Sequence, residues 1–151
     1  MKSKNIVFLF IFCFLSACGY QPLNLNQKIN YSILTFNLEG DNQINKILER
    51  NFEKYKDANN INSIKISSSS KVTKSESAKD TAGKAISYNL SININITATK
   101  NETKISKKIF DKKISYDNLT SQFELKQYER ILINDLVNQM IDEINYFLSN
   151  I

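Results

Sequence analysis

The sequence predicts an α+β fold in which two helices pack on one face of a four-stranded sheet, in the order βαβββα. Three observations predict it. Residues Ile86, Tyr88, Leu90, Ile92, Ile94, Ile96 and Ala98 alternate without a break with Ser87, Asn89, Ser91, Asn93, Asn95, Thr97 and Thr99. That period of two is the signature of a strand with one buried face. Two other stretches, from Ile44 to Tyr55 and from Leu125 to the end of the chain, repeat apolar residues at helical spacing. These stripes are all buried together if both helices cover the same face of the sheet, which leaves the Ser, Asn and Thr side in water.

The elements follow in order. Ile29, Tyr31 and Ile33 alternate, and Leu34, Phe36 and Leu38 then alternate in the opposite phase, as a first strand with a bulge near Ile33 would do. Gly40-Asp41-Asn42 supplies a turn and an N-cap. Ile44, Ile47, Leu48, Phe52 and Tyr55 then mark the apolar stripe of an amphipathic helix. Beyond the polar loop 57–60, Ile64, Ile66 and Val72 share one phase across the serine run 67–70, a strand weakly apolar at its centre. The alternating strand from Ile86 is next. Ile105 and Ile109, then Phe110, Ile114 and Tyr116, predict a fourth strand with a phase change at Ile109. Ser121-Gln122-Phe123-Glu124 has the form of a capping box. It opens a long helix whose stripe runs through Leu125, Tyr128, Leu132, Leu136, Met140, Ile144, Phe147 and Leu148, widened by Ile131, Val137 and Ile141.

The start of the chain has a different character. Lys2 and Lys4 precede the apolar run from Ile6 to Leu15, which ends in Ser16 and Ala17 just before Cys18. This is the layout of a secretory signal. A permanent transmembrane helix is the weaker reading, because a bilayer core takes about 20 helical residues. Leu15-Ser16-Ala17-Cys18 resembles the bacterial lipobox. The division is therefore a cleaved signal peptide over 1–17, a lipidated tether over 18–28 carrying the only proline at Pro22, and one domain over 29–151. Cys18 is the lipidation site, and the two or three acyl chains, palmitate among them, that such a cysteine carries make a stable membrane anchor. Gly19 in place of an aspartate resembles the default signal for export to the outer membrane of a Gram-negative bacterium.

Removing residues 1–17 from the 151-residue chain leaves 134, enough for one modest core. The other cysteine, Cys13, lies in the discarded segment, so no disulfide is expected in spite of an oxidising compartment. The net charge of +5 falls to +3 with Lys2 and Lys4, which suits an anionic partner without indicating nucleic acid. The chain has no His and no Trp, so the commonest general base and metal ligand are missing. No catalytic residue, metal site or cofactor is expected, and the chain reads as a binding protein rather than an enzyme.

The order of elements and several local motifs together resemble the lipopolysaccharide-assembly lipoprotein LptE family. The motifs are Cys18-Gly19-Tyr20-Gln21-Pro22, Gly83 followed by Tyr88 at the head of an alternating strand, and Tyr116-Asp117-Asn118 leading into a long final helix with Glu129 and Asp135. The basic residue that the family carries in the turn before the Gly to Tyr stretch falls at Thr81, with Lys79 and Lys84 beside it. The resemblance implies a non-enzymatic outer-membrane protein that plugs and helps assemble the β-barrel LptD and contacts lipopolysaccharide during its export. The competing function is another outer-membrane lipoprotein, a free-standing binding module for envelope components.

Candidate lipopolysaccharide contacts are Lys74, Lys79 and Lys84 beside the polar connection of strands two and three, and Lys126, which falls beside a basic residue of the family at the start of the last helix. Ammonium groups there would meet lipid A phosphates. The plainer alternative stands beside this one: lysines in a Ser-rich loop keep an edge soluble and unpaired. Lys107, Lys108, Lys112 and Lys113 read as charge protecting an edge strand. Asp142 and Glu143 diverge by about 100° on a helix and read as surface residues.

Overall fold

The computed structural model describes residues 29–57, 63–100 and 102–151. The expected signal peptide, the tether and Cys18 lie outside the described residues. Strand β1 (Ser32–Gly40) leads into helix α1 (Asn42–Phe52) and a 3-10 turn (Glu53–Tyr55). Strands β2 (Ser63–Lys79), β3 (Ala85–Lys100) and β4 (Lys104–Asp117) follow, and the long helix α2 (Gln122–Ser149) closes the domain. The order is βαβββα, as the sequence predicts.

The strands lie in sequence order, β1-β2-β3-β4. β1 pairs with β2 in parallel, with a register shift between Ile33 and Thr35 where the alternation of the sequence changes phase. β2, β3 and β4 form an antiparallel meander, and β4, rich in lysine, is an edge. In β3, Leu90, Ile92, Ile94, Ile96 and Ala98 are buried toward the helices. Their cross-strand partners Ile66, Ile114 and Phe110 belong to the same core. α1 contributes Ile44, Ile47, Leu48 and Phe52, and α2 contributes a row including Leu136, Val137, Met140 and Ile144.

Both helices begin at side-chain caps. Asp41 Oδ1 accepts from the amides of Gln43 at 2.9 Å and Ile44 at 3.1 Å. Ser121 Oγ accepts from the Glu124 amide at 3.3 Å, the hydroxyl half of the expected capping box.

The serine run has a structural purpose. Ser68 and Ser70 point to the helix side and are buried. Ser70 Oγ accepts from the Asp41 amide at 3.0 Å and donates within reach of Glu39 O and Asn45 Oδ1, each at 3.2 Å. Here β1 turns into α1 hard against β2. Gly40 adopts φ +97°, and a Cβ at Gly40 would sit 2.0 Å from the Ser70 carbonyl oxygen. Only glycine at position 40 permits that approach.

Three details depart from the sequence reading. The polar connection of strands two and three, expected as a loop, is mostly strand: β2 runs to Lys79, and the turn is confined to the residues between Lys79 and Ala85. Pairing with β3 extends a segment that is too polar to announce itself as a strand. β4 has no irregularity at Ile109. Its pairing with β3 is continuous, and Ile105 and Ile109 simply face the open side while Phe110 and Tyr116 face the core. In α2, Ile131 is 56% exposed whereas Ile133 is buried. Two residues correspond to roughly 200° around a helix, so Ile131 points away from the arc that packs.

Gly40→Ala tests the close approach. It is expected to lower unfolding free energy by at least about 2 kcal/mol, from backbone strain at positive φ and from collision with Ser70. Chemical denaturation of the variant against the parent measures the loss.

Candidate functional site

Lys74, Lys79, Lys84 and Lys126 do not gather into one site. Lys74 faces the helix side of β2, where its ammonium lies 2.6 Å from Glu129 Oε1 of α2 and 3.8 Å from the centre of the Tyr88 ring. The same Glu129 oxygen accepts the Tyr116 hydroxyl at 2.7 Å. Tyr88 and Tyr116 are cross-strand partners with ring centres 5.7 Å apart, and Tyr128 packs edge-on to Tyr116 at 6.0 Å. These side chains form a clasp that ties the first turns of α2 to the far part of the meander. The Lys74 charge is therefore matched inside the domain. Its ion pair and ring contact together stabilise the fold by about 1 kcal/mol, since the ammonium is partly exposed and screened.

Lys79 pairs with Glu76 at 2.9 Å on the surface, and the hydrogen bond and charge of Glu76 raise its ammonium pKa above the usual value. Lys84 follows Gly83, whose φ is +79°, in a turn closed by Asp80. The Asp80 carboxylate accepts from the amides of Ala82 at 2.9 Å and Lys84 at 2.8 Å, so this turn is held by its own side chain. Lys126 lies exposed in the second turn of α2, one turn before Glu129. Among the described residues, Lys84 and Lys126 carry no ion pair. Lys79 and Lys84 share the tip of the β2–β3 hairpin, while Lys74 and Lys126 flank Glu129.

The face of the sheet opposite the helices is uncovered and largely polar among the described residues. There Asn93 and Asp111 bond across β3 and β4, Ser115 Oγ donates to Asn89 at 2.6 Å, and Asn95 Nδ2 donates to Asn93 at 3.2 Å. Lys65, Lys71, Lys107 and Lys113 border this network, by their place in the alternation. On the helix side of β4, Lys112 pairs with Glu143 at 2.7 Å, and Lys108 lies 5.0 Å from the centre of the Phe110 ring. Asp142 is exposed, in keeping with the surface reading.

Nothing in the periodicity singles out Lys46, Arg50 and Arg130, which the structure brings together in a groove between α1 and α2. The one signal available in the sequence is that Arg50 and Arg130 are its only arginines among 20 basic residues.

No protein-family model and no curated protein sequence matches the chain. Solved structures do. Rare lipoprotein B from Shewanella oneidensis superposes with a TM-score of 0.61 at 8% identity, over 77% of this chain and 94% of that one. The chain has the fold of bacterial lipoproteins. An uncharacterized lipoprotein B from Nitrosomonas europaea superposes with a TM-score of 0.56 at 14% identity, covering 85% of this chain and 94% of the other. A minor lipoprotein from Acinetobacter baumannii gives 0.53 at 15% identity, with 80% and 93% covered. The match spans nearly the whole of each of these lipoproteins.

The clasp makes a testable pH dependence. Burial first, then the hydrogen bond and charge of Glu129, raise the Tyr116 pKa well above its usual value. The unfolded tyrosine loses its proton near pH 10 while the folded one keeps it. The unfolded state therefore binds fewer protons, and this contribution to stability is full below about pH 10 and is lost as pH rises beyond it. In Tyr116→Phe the decline in denaturation midpoint between about pH 9 and pH 11 is expected to be shallower than in the parent, with lysine titration common to both.

Proposed function

We propose that this chain is a lipoprotein of the Gram-negative outer membrane, anchored through Cys18, that plugs and helps assemble the barrel LptD and contacts lipopolysaccharide in transit. The observation that carries this reading is the one-sided sheet. Both helices cover one face, and the other presents mainly Ser, Asn and Thr side chains, with Asn89, Asn93, Asn95, Asp111 and Ser115 joined by hydrogen bonds and Ile105 and Ile109 exposed along β4.

A polar, pre-bonded surface of that kind suits the water-lined lumen of an outer-membrane barrel, whose interior residues are polar. An apolar face would instead demand a dry partner. The lipobox at Leu15 to Cys18 supports the anchor, and the fold shared with bacterial lipoproteins supports the class. The domain works by binding, and no chemical step is assigned to it.

Among the four candidate lysines, Lys84 at the hairpin tip and Lys126 on α2 are the ones left without an internal carboxylate, so they are the side chains available to lipid A phosphates. Lys74 serves the clasp. In this reading the lipid contact lies at the hairpin end and the lumen contact along the open sheet.

Gentle solubilisation of membranes and recovery of the chain through a C-terminal tag test the reading. A stoichiometric outer-membrane barrel of the LptD kind retained through a stringent wash is the expected result. Recovery of the chain alone, acylated at Cys18, would favour a free-standing binding module and remove the barrel assignment.

A further inference from the structure

The groove between α1 and α2 has a volume of about 450 Å³. Gln43, Lys46, Ile47 and Arg50 lie on one face of α1, at the i, i+3, i+4 and i+7 spacing that stacks side chains. Arg130 and Asn134, one turn apart, face them from α2. Gln43 Nε2 donates to the Arg130 carbonyl at 2.9 Å and fixes the two helices relative to one another at this point. Ile47 is buried beneath.

The charge in this groove is of one sign. No carboxylate lines it, and among the described residues Lys46, Arg50 and Arg130 enter no ion pair. Elsewhere Lys56, Lys65, Lys74, Lys79 and Lys112 each sit beside a glutamate, and Lys84 and Lys126, also unpaired, stand on separate elements rather than gathered in one groove. Like charges one turn apart, such as Lys46 and Arg50, oppose the helix by a few tenths of a kcal/mol. An anion in the groove would relieve that repulsion.

Residue choice points the same way. A chain that uses lysine at 18 of its 20 basic positions places both of its arginines here. The guanidinium presents a planar fork of donors that matches phosphate bidentately, which an ammonium does not.

We propose that the α1–α2 groove is a binding site for a phosphate ester or pyrophosphate group, gripped by Arg50 and Arg130 from opposite sides with Lys46 as the third cation. Asn134 supplies a neutral donor. The site stands apart from the hairpin lysines and does not rest on the barrel reading. The phosphate belongs either to a lipid headgroup or to a soluble molecule.

The test uses the full chain purified from membranes in a neutral detergent at low salt. One probe is inorganic pyrophosphate, followed by calorimetry and by the rise in unfolding midpoint that a ligand bound to the native state produces. The other is retention on micelles doped with phosphatidic acid, against undoped micelles. The variants are Arg50→Gln with Arg130→Gln, and, as a charge-matched control, Lys100→Gln with Lys104→Gln at the β3–β4 turn.

Saturable pyrophosphate binding that weakens by about tenfold or more in the arginine variant and by less than about twofold in the control supports the site with a soluble ligand. Arginine-dependent retention on phosphatidic acid without pyrophosphate binding supports it with a lipid source. Equal weakening in both variants, or no binding of either probe, overturns it. So does arginine-dependent binding of polyglutamate alone, which would make the occupant an acidic protein segment. The unliganded arginine variant is expected to unfold no earlier than the parent, so failure to bind will not be failure to fold.

Discussion

The strict alternation of β3 is the constraint from which the rest of the domain follows. Its even-numbered residues from Leu90 to Ala98 are buried and its odd-numbered residues from Ser91 to Thr99 are polar. A slip of one residue against either neighbour would set asparagines beneath the helices and isoleucines in water. The register of β2 and β4 is thereby determined, and so is the side on which α1 and α2 must lie. With one apolar face available, two amphipathic helices share it, and the opposite face stays uncovered. Gly40 solves the remaining steric problem, since without a Cβ it passes over the Ser70 backbone and lets α1 begin close against β2.

Much of this architecture was legible in the chain because it is written in periods. The order βαβββα, the bulge after Ile33, the cap at Ser121 and the buried stripe of β3 each reflect a local rule. The failures have local causes too. The segment from Thr73 to Lys79 carries no apolar alternation, and it is a strand because β3 pairs with it; the information sits in the partner. Ile131 and Ile133 are equivalent in composition, and only the position of the arc that meets the sheet separates them. At the candidate site, Lys74 looked like a lysine in a loop, whereas Glu129, which it meets, lies 55 residues away. Long-range pairing of charge has no periodic signature, so the clasp and the arginine groove could be seen only once the chain was folded.

The two sides of the domain have separate tasks in this account. The helix side holds the core and the clasp, and at its surface lies a groove whose charged residues are all cationic. The sheet side is polar, networked and open, a surface that suits a wet interface in which hydrogen bonds to a partner or to bridging water replace those to bulk solvent. The hairpin of β2 and β3 carries Lys79 and Lys84 at its tip, beside Ile86, which is 48% exposed. One chain thus offers different chemistry in different directions, which a binding protein set between a membrane, a barrel and a charged lipid would need.

The central claim is that the uncovered face of the sheet is the face that meets the barrel. Photo-crosslinking in intact cells tests it most directly, with a photoreactive residue placed at Asn93 or Lys113 on the open face, or at Asn138 on the exposed side of α2. The account predicts adducts from Asn93 and Lys113 to a single barrel-sized outer-membrane protein. Adducts from Asn138 with none from the open face would contradict it.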